Sequence, residues 1–151
     1  MALIASKGTL DMAYPPFILA STAAALDWEV QIFFTFYGLQ LLRKDLSDVR
    51  LSPLANPALP MPLPIPVMVQ TLPGMESMAT RMMKDKLQSK GVAGLQELRQ
   101  ACIEAGVKLI ACQMTVDLFD FETHAFLPEV EYGGAANFLA FAGQADVCLF
   151  I

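Results

Sequence analysis

The chain offers a nucleophilic sulfur at three positions, Cys102, Cys112 and Cys148. As thiolates these residues attack sulfur electrophiles, so thiol chemistry is what they would supply. Other chemistries are poorly provided for. His124 is the single histidine, which leaves little material for a Cys-His pair or a histidine metal cluster. The sequence contains no C-x-x-C pair, no Walker A loop and no G-x-G-x-x-G turn, so neither a metal nor a cofactor is expected. An odd number of widely spaced cysteines is not a disulfide framework and points to a reducing compartment.

The elements that must position these thiols read as alternating strands and helices. Ala2–Ser6, Trp28–Phe36 and Val107–Cys112 are apolar or β-branched runs of strand length. "DVCLFI" (Asp146–Ile151) makes a closing strand, and "PEVEYGG" a brief extended piece. Pro15 and Pro16 suit a helix start, with the helix running to about Leu26. Tyr37–Asp45 reads as a short helix, and Gly74–Gly91 as a longer one with Met75, Met78, Met82 and, less squarely, Met83 along one stripe. Gly94–Gly106 is the cleanest helix, with Leu95, Leu98, Cys102 and Ala105 at helical spacing. Ala135–Ala145 is the last. The pattern predicts an α/β fold: a single Rossmann-like domain over 1–151, with a mostly parallel sheet of four or five strands and helices on both faces. A proline-rich excursion interrupts it at about 47–74.

In such a sheet ligands bind outside the carboxyl ends of the strands. Cys112 closes its strand and therefore lies at that edge. If "QMTVDLF" after it is helical, the helix N-terminus would favour a thiolate. Position alone leaves two readings open, a functional thiol or a small apolar residue ending a strand. Cys102 lies on the apolar stripe of its helix, which reads as a core thiol, and Cys148 sits within a strand. A direct Cys102–Cys112 bond is disfavoured, because the two are offset by roughly 10 Å along the hairpin and a disulfide needs Cα atoms within about 7 Å. "SKGTLD" (Ser6–Asp11) before a helix could hold an anion or be a plain loop; a nucleotide or flavin reading rests on it alone.

Composition bounds the partners. The net charge is −5, with 55% hydrophobic and 17% charged residues and a mean hydropathy of +0.47. The acidic balance excludes general nucleic-acid binding. The apolar excess predicts homo-oligomerisation, or docking on a membrane or a partner. No spanning helix is expected: Pro57–Val69 carries proline at 57, 60, 62, 64 and 66, and the run from Tyr14 to Leu26 is too short.

Taken together, "ALIASKGTLDMAYPPFILASTAAAL", "NPALPMPLPIP", "LPGMESMATRMMKDKL", "GVAGLQELRQAC", "GVKLIACQMTVDLF" and "VEYGGAANFL" resemble the DsrE/DsrF-like superfamily, and within it the DsrE2/DsrE3-type sulfur-carrier branch. The resemblance runs over the whole chain. It implies a Rossmann-like fold in homo-oligomers, cytoplasmic or membrane-associated, carrying sulfane sulfur on cysteine as a persulfide or S-thiosulfonate. The implied partners are TusA-like or rhodanese-like sulfurtransferases and a small sulfur-oxyanion or persulfide donor. The family's paired cysteines, ten residues apart, match Cys102 and Cys112, which gives Cys102 a role that periodicity does not. Gln113 and Met114 are expected to shape the pocket, and Lys7 or Lys84 to meet an oxyanion. One departure stands out: after "TVDLF" the family often has glycine and a basic stretch, whereas "DFETHAF" (Asp120–Phe126) is acidic and bulky. The competing expectation is a non-catalytic assembly module.

Overall fold

Three short runs carry apolar side chains on both faces, so they can lie only in the middle of a covered sheet. In a computed structural model, which describes residues 1–52 and 74–151, these are β1 (Ala2–Ala5), β2 (Gln31–Phe34) and β3 (Lys108–Cys112). With β4 (Glu131–Gly133) and β5 (Cys148–Phe150) they form one sheet of order β4-β3-β2-β1-β5. Every pairing is parallel, with Ala5 opposite Phe34, Phe34 opposite Ala111, and Cys112 opposite Gly133. The α/β fold and its five strands follow the sequence pattern.

Side chains alternate across this sheet, and the two faces build two cores. Leu3, Ala5, Ile32, Phe34, Leu109 and Ala111 face one side and form the larger core. There they meet α1 (Leu10–Ala25) and α3 (Leu95–Glu104), with Phe17 tilted against Phe34 at 6.0 Å and Cys102 fully buried. Met83 of α2 (Met75–Ser89) packs against the same core. On the opposite face Ala2, Phe33, Ile110 and Cys112 form a smaller core with Phe138 of α5 (Ala135–Ala142), whose ring stacks on Phe33 at 5.1 Å. The six-residue α4 (Gln113–Leu118) follows β3 directly.

Three readings need correction. The first helix starts at Leu10, with Pro15 and Pro16 inside it. Each proline withholds an N–H from the carbonyl four residues back. The helix survives because Leu10, Ala13, Pro16, Phe17, Ala20 and Ala23 make one buried stripe. The segment after β2 is a 3-10 helix, Phe36–Leu42, and ends before Asp45. In α2 the inward stripe is Ala79, Thr80 and Met83, while Met78 and Met82 are exposed. Most of the proline-rich excursion lies outside the described residues.

The 3-10 helix sits so close to the sheet that it tolerates no side chain at Gly38. The Gly38 amide donates to the Ser6 carbonyl at 3.2 Å. A Cβ there would meet the Ala5 carbonyl oxygen at 2.1 Å, and one at Gly8 would meet that of Tyr37 at 2.3 Å. Since the obstacle is backbone, it cannot step aside as a side-chain tip would. Gly38→Ala is expected to destabilise the protein by about 3 kcal/mol in a urea melt, the upper end for overpacking. An unchanged midpoint would mean that this contact is looser than described.

Candidate functional site

Strand β3 ends on Cys112, which opens α4 at its N-cap position with φ −66° and ψ 107°. This is the carboxyl edge of the sheet. The Cys112 thiol does not cap α4, however. It points into the smaller core beside Phe33, Ile110 and Phe138, and is 5% exposed. The neighbouring strand offers Gly133 at the paired position, where a Cβ would meet Ile110 Cγ2 at 3.1 Å. Cys112 is thus enclosed by β2, β4 and the start of α5.

Cys102 lies on the other side of the sheet. Its Sγ donates to the Phe17 carbonyl at 3.3 Å, locking α3 to α1. Burial pushes its thiol up to about 11, against a smaller downward pull from the Ser21 backbone. It is held as a neutral thiol. All three cysteines are free, and the sheet itself stands between Cys102 and Cys112. Cys148, at the start of the edge strand β5, is exposed.

The remaining expected site residues divide. Gln113 and Met114 are exposed on the first turn of α4, and the Gln113 amide donates to Asp117 at 2.7 Å. Lys7 is exposed in the loop after β1, on the same edge of the sheet as Cys112. Lys84 is elsewhere: its ammonium donates to the Ser47 carbonyl at 3.3 Å and lines a cavity of about 450 Å³ among α1, α2 and α3. The structure therefore brings Cys112, Gln113 and Met114 together and leaves Cys102 and Lys84 apart from them.

Several residues that shape this edge are not prominent in the sequence. Thr35, just past β2, shares a 3.1 Å hydroxyl hydrogen bond with the fully buried Thr115 of α4, pinning α4 over the strand ends. Arg99 lies on the buried stripe of α3 with Leu95 and Cys102. Its guanidinium donates to the carbonyls of Leu41 at 2.8 Å, Arg43 at 2.6 Å and Lys44 at 3.4 Å. These carbonyls lie at the end of the 3-10 helix, where intrahelical donors run out. Burial lowers the pKa of Arg99, against an opposing influence from Glu129. The signal was available: an arginine between Leu98 and Cys102 on an apolar stripe must find acceptors. Segment 42–44 also pairs with 125–127 through Lys44 N–H to Ala125 O and Leu127 N–H to Leu42 O.

The parallel five-stranded sheet with helices on both faces defines an α/β protein of Rossmann-like build, with Cys112 closing a strand at its carboxyl edge. The comparisons narrow this. The profile of the DsrE/DsrF/DrsH-like family matches residues 1–150. The chain is 60% identical over 155 aligned positions to "Sulfur carrier protein DsrE2" of Allochromatium vinosum, covering all of this chain and 97% of that one. It is 34% identical to "Uncharacterized protein YrkE" of Bacillus subtilis, covering 99% of this chain and 94% of the other. The protein belongs to the DsrE/DsrF/DrsH-like family.

Two outcomes follow from the contrast between the thiols. Brief iodoacetamide treatment of the native protein, mapped by peptide mass, is expected to modify Cys148 first, Cys112 more slowly and Cys102 only on unfolding. Native Cys102 labelling as fast as Cys148 would contradict the packing of α3 on α1. The second outcome concerns pH. Because the folded Cys102 thiol titrates near 11 and its ordinary value is 9.0, the folded state holds a proton that the unfolded state releases between these values. Stability contributed by this group is intact below pH 9 and is lost as pH rises towards 11, by about 2–3 kcal/mol. The stability difference between wild type and Cys102→Ala, measured by urea melts across pH 8–11, should shrink accordingly; a constant difference would contradict it.

Proposed function

We propose that the protein is a sulfur carrier, with sulfurtransferase-like chemistry, that holds sulfane sulfur on Cys112 in sulfur oxidation or sulfur relay. The observation that supports this best is the position of Cys112 at the carboxyl edge of β3 in a chain 60% identical over its whole length to a relative named as a sulfur carrier. In the loading step the Cys112 thiolate attacks the outer sulfur of a persulfide donor. A Cys112–S–SH forms and the donor leaves as its thiolate, so no external oxidant is needed. With tetrathionate, attack on a central sulfur gives the S-thiosulfonate and releases thiosulfate. In unloading, an acceptor thiolate takes the sulfur and Cys112 leaves as thiolate.

Cys102 serves as the second thiol of the pair in this reading. Its hydrogen bond to Phe17 means that it becomes reachable only when α3 parts from α1. Gln113 and Met114 line the approach to Cys112, Lys7 meets an anionic donor at the same edge, and Lys84 acts at the α1–α3 cavity, where its ammonium lies. The acceptor is a TusA-like or rhodanese-like protein, and the setting is the cytoplasm. No helix among the described residues is long and apolar enough to cross a membrane, and any membrane contact is peripheral. Homo-oligomerisation is favoured by Cys148, Leu149 and Phe150, all exposed on β5 at the open edge of the sheet. That same edge is the observation favouring the second reading, a non-catalytic assembly module.

Incubation of the reduced Cys148→Ser protein, which lacks the exposed competing thiol, with a persulfide donor or tetrathionate, followed by intact mass, is expected to show one sulfane-sulfur adduct. Cys112→Ser in that background should abolish it, and Cys102→Ser reports whether the second thiol is needed. No adduct, or the same adduct after Cys112→Ser, would end the carrier reading.

A further inference from the structure

Beyond Cys112, the carboxyl edge exposes an aromatic surface. Tyr37 stacks on Phe119 at 5.9 Å with 24° between the rings, and Phe36 meets Phe119 edge-on at 6.2 Å. Phe121 extends the cluster from Phe119 to the buried Phe126. Phe36, Tyr37 and Phe119 are 45%, 61% and 42% exposed, and Met114 and Leu118 of α4 are exposed nearby in sequence. Water is a poor environment for so much contiguous apolar surface.

Two features indicate that this surface is held in place. Of the three non-glycine residues with positive φ among the described residues, two lie in it: Phe36 at +47° and Asp120 at +50°. A phenylalanine in the left-handed region is costly and persists only where its surroundings impose it. The two halves are also tied together, by the 42–44/125–127 pairing and by Arg99 beneath residues 41–44. Three carboxylates, Asp117, Asp120 and Glu122, are exposed among these rings; the bases against them are His124, 3.3 Å from Glu122, and Lys44, whose ammonium donates to the His124 carbonyl at 2.8 Å, so the carboxylates outnumber the bases.

We infer that this aromatic, acid-rimmed surface docks a protein partner that presents an aliphatic patch ringed by lysine or arginine, and so delivers the partner's cysteine to the Cys112 edge. The inference rests on Cys112 as the reacting thiol. The occupant follows from charge: an acidic rim attracts a basic protein surface and repels anionic lipid and nucleic acid. Desolvated aromatic rings supply the contact, and the rim supplies orientation and on-rate.

The test uses peptides and needs no sulfur loading, so its failure is separable from that of the carrier reading. Two cysteine peptides, Leu-rich and flanked by either lysines or glutamates, are activated as mixed disulfides with thionitrobenzoate. The Cys112 thiolate attacks the peptide sulfur, forming a protein–peptide disulfide and releasing coloured thionitrobenzoate. The Cys148→Ser protein removes the exposed competing thiol. The lysine peptide should react about tenfold faster than the glutamate peptide at low salt, with the ratio falling to about twofold at high salt. Asp117→Lys/Glu122→Lys should invert the preference; Asp120 is better changed to Asn, which tolerates positive φ. Phe119→Ser should slow the lysine peptide about fivefold while leaving the rate with neutral dithiodipyridine unchanged. Equal peptide ratios in the parent and charge-reversed proteins would overturn the inference. So would co-sedimentation of the parent with phosphatidylglycerol vesicles, which would make this a membrane face.

Discussion

Alternation of side chains along β3 is the constraint from which the arrangement of thiols follows. Leu109 and Ala111 enter the larger core under α1 and α3, so Ile110 and Cys112 must face the other way. Helix α3 packs on the first face, and its Cys102 therefore looks at the sheet from the side that Cys112 has left. A ten-residue spacing across a helix–strand hairpin thus separates the two sulfurs by the thickness of the sheet. A register shift of one residue would reverse this and bury Cys112 beneath α3. The same alternation makes α5 the cover of Cys112, because Phe138 completes the core that Phe33 and Ile110 begin.

Much of this frame could be read from the chain because each central strand is apolar on both faces, a pattern that only a covered parallel sheet satisfies. The place of Cys112 at the carboxyl edge came from the same reading, as did α2, α3 and α5. What escaped depended on contacts distant in sequence. The start of α1 was obscured because proline disfavours a helix interior locally, while the buried stripe from Leu10 to Ala23 prevails globally. Met78 and Met82 fit the helical period, but so did Ala79, Thr80 and Met83, and periodicity alone does not say which side meets a core. Arg99 and the Thr35–Thr115 pair exist for partners 55–58 and 80 residues away. The acidic, bulky run at Asp120–Phe126 was visible as a departure from the family, but its union with Phe36 and Tyr37 was not.

The two cores differ in size, and this difference bears on access. The face under α1 and α3 gathers most of the buried side chains, whereas five buried residues make up the core at Cys112, covered by an eight-residue helix. Local opening is cheapest where the fewest apolar contacts must be given up. Cys102, hydrogen-bonded in the larger core, is the thiol whose exposure costs most; Cys112 can be uncovered by displacing α5 alone. A carrier has opposing requirements, since sulfur on an open thiol would be lost to any passing nucleophile and sulfur in a rigid core could never leave. In the proposed carrier, a thiol 5% exposed under a short helix would meet both: the cargo would be shielded at rest, and the binding energy of a partner would drive the opening that transfer needs.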